Sequence, residues 1–468
     1  MSILLINKFD VSQSLRRLRV VISILIYLLI IDRCFAQNTQ WTLEKSIAFA
    51  KEKNIQIMQA GYDIEIARSN LNTAKSANYP TFNGNINCLY YLGRTVNPYT
   101  NIITNNNYDL NNYSLNCNFD LFKGFQRKHN VIMNNLTLQS IQMDVEKIKN
   151  DISLNIATVF LELLFYDELI KNDSVQIDEI NNQIDRAKEM IKVGVKTDTF
   201  LYDLYTQKAQ DDLNIVLQRS TYRSNLIDLM QLMELKNPDG FEIGKPNNLD
   251  ILIQLKPDNF DNYLNSAIAS LPQIKSAQYK YQSAINNVKF ITGYRYPVFS
   301  FETSLNSGYS NVNRLFETNG NSKEISFNNQ IKNNLNLNYG FNITIPIFSR
   351  FQIRNSINIA KCNSAKEELN VELVQKKVYK EIQKAYYDVI SANEKLISSK
   401  VLLDASELSF RNIKEKFNIG IISVYDYSTM KTKLTMAVSD YLQAKYEYIF
   451  KLEILNFYSG KPITFESL

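Results

Sequence analysis

Leu121-Phe122-Lys123-Gly124-Phe125-Gln126 opens the stretch that decides the fold, and about seventy residues without a proline follow it, to Ile191. Apolar residues recur there at Leu138, Ile141, Val145, Ile148, Ile152, Ile156, Val159, Leu163, Tyr166 and Ile170, then at Ile177, Ile180, Ile184, Ala187 and Ile191. Steps of three and four hold one narrow seam on one face of a single long helix. The two consecutive fours at Ile148, Ile152 and Ile156 form a stutter, which locally unwinds a left-handed supercoil. At 1.5 Å per residue such a helix is a rod on the order of 100 Å long. No compact domain needs one.

The stretch occurs twice. Adding 226 to its positions reaches Val371, Val374, Val378, Ile382, Ala385, Val389, Ala392, Leu396, Leu403, Phe410, Ile413 and Phe417. The same shift carries Phe122, Phe125, Gln126 and Gly194 onto Phe348, Phe351, Gln352 and Gly420, and fails at Ser364, Glu367 and Ser406. An ungapped internal duplication of this period implies one body built twice.

The regions around the two rods repeat as well. Trp41 to Ala77 has a helical pattern that Tyr79-Pro80 ends, because proline cannot continue a helix. Phe82, Gly84, Ile86, Cys88 and Tyr90 then alternate with Asn83, Asn85 and Asn87, and Gly93 to Asn112 forms an Asn-rich loop. A second alternating run sets Leu115, Cys117, Phe119 and Leu121 against Asn116, Asn118 and Asp120. The rod follows, then a break at Gly194 and a return helix from about Asp198 to Leu232. In the second copy Asn262 to Tyr294 is helical, Tyr296-Pro297 stands 217 residues after Tyr79-Pro80, and Phe299, Phe301, Thr303 and Leu305 begin a strand. Ser310 to Asn334 is another Asn-rich loop. The clearest strand then places Leu335, Leu337, Tyr339, Phe341, Ile343, Ile345 and Ile347 on one face and Asn336, Asn338, Gly340, Asn342 and Thr344 on the other.

Strands of about ten residues, apolar on one face and amide-rich on the other, suit a wall between lipid and water. On this reading Tyr339, Phe341, Ile343 and Ile345 face lipid. Four strands cannot close a barrel, and eight leave an interior about filled by side chains, whereas the twelve of three chains leave a channel. The helices before Pro80 and after Gly194, each under forty residues, together match one rod, so each copy forms a two-layer stave.

Composition excludes other classes. The formal charge is +5, but Lys8, Arg16, Arg17, Arg19 and Arg33 against Asp10 and Asp32 put +3 of it in the first 36 residues. The rest has no basic stripe, so no nucleic acid is expected. Residues 1–36 read as a signal peptide: a basic Arg16-Arg17-Arg19 region, an apolar Val20 to Ile31 run, and Cys34-Phe35-Ala36 before the cleavage point. Cys34 leaves lipidation open, although Asp32 and Arg33 suit it poorly. Cys88 and Cys117, in adjacent strands, are read either as a disulfide or as small buried hydrophobes. His129 is the only histidine, and no CxxC, P-loop or GxSxG motif occurs, so neither an enzyme site nor a cofactor or metal is expected. His129 itself reads as an interfacial polar residue.

The order of signal peptide, helix, strand pair, long helix, Gly tip and return helix, given twice, resembles the TolC family of outer-membrane efflux channels. The resemblance covers Trp41 to Pro462 and rests on Tyr79-Pro80, Tyr296-Pro297, Leu121-Phe122 with Gly124, and Ile345-Pro346-Ile347-Phe348. The tips Val193-Gly194-Val195 and Ile419-Gly420-Ile421 complete it. It implies a mainly α homotrimer with a small β part, in which a twelve-stranded barrel in the outer membrane continues as a periplasmic α-helical barrel. The domains follow as signal 1–36, first repeat 37–235, equatorial linker 236–258, second repeat 259–458 and tail 459–468. It further implies a passive export duct whose tips dock a periplasmic adaptor and an inner-membrane transporter.

The family pattern also places acidic residues just past the second tip, around the lumen. Asp426 matches the first such position as a candidate pore constriction, or is a solvated outer-face carboxylate. Thr429 does not match the second, Ile422 stands where a well-known member has an arginine, and Phe417 where it has a tyrosine. A periplasmic adaptor and a trimeric coiled-coil stalk are the competing readings. The first lacks its Gly-rich β-module between hairpin helices here, and the second needs neither duplication nor strands.

Overall fold

The computed structural model describes residues 40–463 apart from 98, 237–240, 247–252, 254–255 and 317–321. The expected signal segment and Cys34 lie outside the described residues, as do parts of the linker and tail.

The elements run α1 (Leu43–Lys53), α2 (Ile55–Ser76), β1 (Thr81–Tyr91), β2 (Thr95–Val96), β3 (Ile103–Thr104), β4 (Tyr108–Lys123), α3 (Gln126–Lys192) and α4 (Asp198–Leu232). The second copy gives α5 (Phe260–Ser270), α6 (Pro272–Thr292), β5 (Val298–Ser310), β6 (Arg314–Phe316), β7 (Ser322–Glu324), α7 (Phe327–Asn333), β8 (Asn336–Thr344), α8 (Gln352–Asn418) and α9 (Val424–Tyr458). Both long helices have 67 residues and both return helices 35, with all four boundaries displaced by 226. The predicted seam is buried in part: Val145, Ile152, Ile156, Leu163, Ile180, Ile184 and Ala187 in α3, and Val378, Ile382, Val389, Leu396, Leu403 and Phe410 in α8. Leu138, Ile141, Ile148, Val159 and Ile170 are half-buried, while Phe160 and Leu164, outside the seam, are fully buried.

Several expectations are corrected. The single helix expected over Trp41 to Ala77 is two, because Asn54 adopts extended backbone (φ −63°, ψ 128°) and its amide donates to the Leu232 carbonyl. The helix expected over Asn262 to Tyr294 also breaks, at Leu271 (φ −64°, ψ 126°). There the following Pro272 disfavours helical backbone for the residue before it. The two Asn-rich loops contain structure: the β2–β3 hairpin in the first, the β6–β7 hairpin and α7 in the second. The strands beside them are longer than their alternation suggested, with β4 starting at Tyr108 and β5 reaching Ser310.

By internal contacts the chain forms two compact units that cut across the repeats. One comprises Asn150–Tyr263 and Ile382–Leu468 with the N-terminal segment to Ile55; the other comprises Gln56–Lys149 and Leu264–Glu381. In the first unit the linker is tied to the N-terminal segment. Trp41 N–H donates to the Glu242 carbonyl, Gly244 N–H donates to that of Trp41, and the Trp41 ring stacks on Phe241. The second unit holds a four-stranded antiparallel sheet in the order β1-β4-β5-β8.

Candidate functional site

The sheet is built from period-two strands, so its register decides what each face is made of. Along one face run the rows Phe82–Cys117–Thr303–Tyr339, Gly84–Leu115–Leu305–Leu337 and Phe119–Phe301–Phe341. Along the other run Asn83–Asn116–Ser304–Asn338, Asn85–Ser114–Asn306–Asn336 and Thr81–Asn118–Glu302–Gly340. Asn116 and Asn306 each donate from their amide to the serine two residues earlier, Ser114 and Ser304. One face is a wall of rings and aliphatics, the other a lattice of amides and hydroxyls.

The apolar face is uncovered. Tyr339 is 76 % exposed, and Phe341 and Ile343 are each above 60 %; Ile345 and Ile347, expected on the same strand, lie past its end at Thr344 and are exposed as well. Phe341 stacks on Phe299 and packs on Phe301, so the face is ordered within the sheet while open to its surroundings. Leu121, expected in this apolar set, is instead skipped in the ladder between Asp120 and Phe122, and Phe122 takes its place opposite Phe299. A β-bulge of this kind inserts one residue and resets the phase of the strand. The freed Leu121 carbonyl accepts a hydrogen bond from Arg127. Cys88 and Cys117 do not meet: Cys88 pairs with Asn111, whereas Cys117 pairs with Phe82, six positions along β1.

Among the described residues both outer strands, β1 and β8, keep one ladder edge without a partner, and the four strands form no closed barrel.

At α7, Gln330 fastens the end of the sheet. Its amide oxygen accepts from Ser310 N–H, and its amide nitrogen donates to the Ser310 and Ile325 carbonyls. Phe327, on the same helix, packs edge-on to Tyr113 of the apolar face.

In the other unit the two helical hairpins end in matched turns. Gly194 (φ +73°) and Gly420 (φ +79°) occupy the left-handed region that glycine tolerates. Val195 N–H reaches the Met190 carbonyl and Gly194 N–H that of Ile191; Ile421 and Gly420 do the same with Lys416 and Phe417. These are paired Schellman closures. They leave Val193, Val195, Ile419 and Ile421 exposed around each glycine.

Behind the tips, Ile180, Ile184, Ala187, Leu204 and Val424 form a small core, with Phe200, Leu201 and Phe417 against it. Tyr427 is buried there, stacked on Phe417 at 4.4 Å, and Gln183 donates to its hydroxyl at 2.6 Å. Burial pushes the Tyr427 hydroxyl up to about 12, so it stays protonated. Farther along, Lys431 is buried and paired with Asp211 at 2.7 Å, and Gln207 donates to the other Asp211 oxygen. In the sequence the Asp211-Asp212 pair reads as a solvated face, whereas Asp211 is largely withdrawn from solvent against Lys431; nothing in the sequence pattern singled out Tyr427 or Lys431.

Asp426 is exposed and lies in the first turn of the helix that Ser423 caps. Its backbone N–H donates to Ser423 Oγ at 3.1 Å, and Ser423 Oγ donates to its carboxylate at 2.7 Å. The return helix of the first copy has Thr197 at the same place without a side-chain bond. His129 Nδ1 lies 3.2 Å from the Asn286 amide oxygen, a polar contact between helices.

Among the described residues no helix is long and apolar enough to cross a membrane, a finding that does not bear on strands. The family described as outer membrane efflux protein matches residues 263–461, nearly the whole second repeat. The outer membrane efflux protein BepC of Brucella suis is 19 % identical over 410 residues, 87 % of this chain and 83 % of that one. Toxin and drug export protein A of Aggregatibacter actinomycetemcomitans is 21 % identical over 58 % of this chain and 59 % of its own. The CmeC outer membrane channel of Campylobacter jejuni superposes with a TM-score of 0.73 at 16 % identity, covering 91 % of this chain and 86 % of that one. For the CusC channel the TM-score is 0.75 at 14 % identity, with 91 % and 93 % covered. The second half of the chain thus matches the outer membrane efflux protein family, and the chain as a whole shares the fold of these outer-membrane channels.

Proposed function

We propose that three chains close their sheets edge to edge, β8 of one on β1 of the next, into a twelve-stranded outer-membrane barrel. The ring is the passive export duct of a tripartite efflux or type I secretion system, and its helical part extends into the periplasm. The observation that carries this is the sheet itself: one lipid-suited face, one amide-lined face, and two edge strands with no partner among the described residues. Unpaired edges inside a bilayer would leave backbone groups unsatisfied, so such a sheet must close. The export chemistry belongs to its partners; the duct supplies a wetted path.

Cysteine scanning along β8 with a membrane-impermeant thiol reagent tests the orientation. Asn336, Asn338 and Asn342 positions should label and Tyr339, Phe341 and Ile343 positions should not; labelling without a period of two overturns the barrel. Phe341→Arg should cost about 2–4 kcal/mol if it lies near the midplane.

The tips Val193-Gly194-Val195 and Ile419-Gly420-Ile421 are proposed to dock a periplasmic adaptor linked to an inner-membrane transporter. Their support is a pair of matched turns with apolar side chains turned outward. A bulky residue at Gly194 or Gly420 should abolish export while heat-resistant trimers still form; normal export would place docking elsewhere. Asp426 is proposed to ring the narrow end of the duct. Asp426→Asn should then weaken block by trivalent cations in single-channel recordings, and unchanged block would remove it from the constriction.

A further inference from the structure

We infer that Glu302 sets the charge preference of the strand-lined part of the duct, making that segment a path that favours cations. The inference rests on the reading of the amide-rich face as the lumen. Along that face β1 contributes Thr81, Asn83, Asn85 and Asn87, and β8 contributes Asn336, Asn338, Gly340, Asn342 and Thr344. Strand β4 contributes Asn112, Ser114, Asn116, Asn118 and Asp120, and β5 contributes Ser300, Glu302, Ser304, Asn306 and Gly308. Asp120 is neutralised by Lys123, whose ammonium is 3.0 Å from its carboxylate. Glu302 has no such partner among the described residues; its nearest polar contact is the Ser300 hydroxyl at 3.5 Å. The wall is otherwise uncharged.

The neighbours of Glu302 leave it open. Asn118 stands across from it on β4, and Gly340 stands across from it on β8. A Cβ added at Gly340 would meet nothing within 4 Å, so the carboxylate borders a notch rather than a side chain. In the closed ring three Glu302 carboxylates share one level of a neutral, water-filled wall. An uncompensated ring of like charge is the arrangement that biases a pore toward ions of opposite sign.

The test is reversal potential of the purified full-length protein in a planar bilayer under a potassium chloride gradient. Glu302→Gln should lower the cation-to-anion permeability ratio by about twofold or more near 0.1 M salt, where charges act over about 10 Å. The difference should vanish near 1 M, where that reach shrinks to about 3 Å. Gly340→Lys leaves Glu302 in place and sets an ammonium on the residue directly opposite, about 5 Å away between Cβ atoms. It should produce the same loss, and the double variant should prefer anions. If both single variants conduct with the wild-type reversal potential, Glu302 has no such role while the duct stands. If the wild-type protein forms no conducting pore, the duct reading falls and this inference with it.

Discussion

The two copies share helix boundaries displaced by 226 residues, yet equivalent positions are put to opposite uses. Lys431 of α9 is 2 % exposed, while its counterpart in α4, Tyr205, is 41 % exposed. Glu453 is 8 % exposed, and its counterpart Ile227 is 62 % exposed. At the strand-to-helix joins, Gly124 and Arg350 both take left-handed backbone (φ +55° and +50°), followed by Phe125 and Phe351 in the same region. Duplication has kept the backbone path and let neighbours decide the side chains. An Ile beside solvent and a Glu in a core at one helical position are the result.

The largest break in this comparison is expected at Lys431. Lys431→Met leaves Asp211 buried without its cation, which costs about 3–5 kcal/mol. Replacing both residues by apolar ones should restore most of that loss. Tyr205→Met, at the exposed equivalent, should change stability by about 0.5 kcal/mol at most. The midpoint for loss of heat-resistant assembly reads all three; a double variant no better than Lys431→Met would show the ion pair is not the cause.

The next effect is one of pH. Burial pushes Glu453 from 4.5 up to about 7, against the opposing pull of Asn456 and Lys461. Because the folded chain holds this proton more tightly than the unfolded one, stability from this group is full below about 4.5 and falls as pH rises to about 7. The loss is on the order of 3 kcal/mol. Glu453→Gln should therefore melt higher than wild type at pH 8 and alike at pH 4.5. Equal melting at both would mean that Glu453 ionises without cost.

The smallest effect separates the two joins. A Cβ at Gly124 would press on the Gly293 carbonyl oxygen, so Gly124→Ala should cost about 1–3 kcal/mol. Arg350 bears the same backbone conformation with a full side chain, and Arg350→Gly should be neutral or slightly stabilising. If the two changes prove equal, the turn rather than the close approach of Gly293 is what demands glycine.

Much of this organisation was legible in the sequence, because long seams and alternating strands are periodic signals repeated twice. What escaped was set by single contacts. The break at Asn54 interrupts no periodicity and depends on the Leu232 carbonyl; its twin at Leu271 had a signal in Pro272 that the reading of one helix over Asn262 to Tyr294 passed over. The bulge at Leu121 hid inside an unbroken alternation, and helix α7 inside asparagines that favour neither helix nor strand. At the candidate site, the two faces of β8 were readable, whereas the Lys431–Asp211 pair depends on which helices meet. No spacing along one helix reveals that.

The open edges of β1 and β8 also bear on heredity and expression. In the proposed three-chain ring, a subunit with a damaged edge does not merely fail; it occupies a place and leaves two healthy neighbours unsealed. The fraction of sound ducts then falls as the cube of the fraction of sound subunits. Edge variants should accordingly act dominantly over a wild-type copy in the same cell, whereas variants that prevent a chain from folding at all should be recessive.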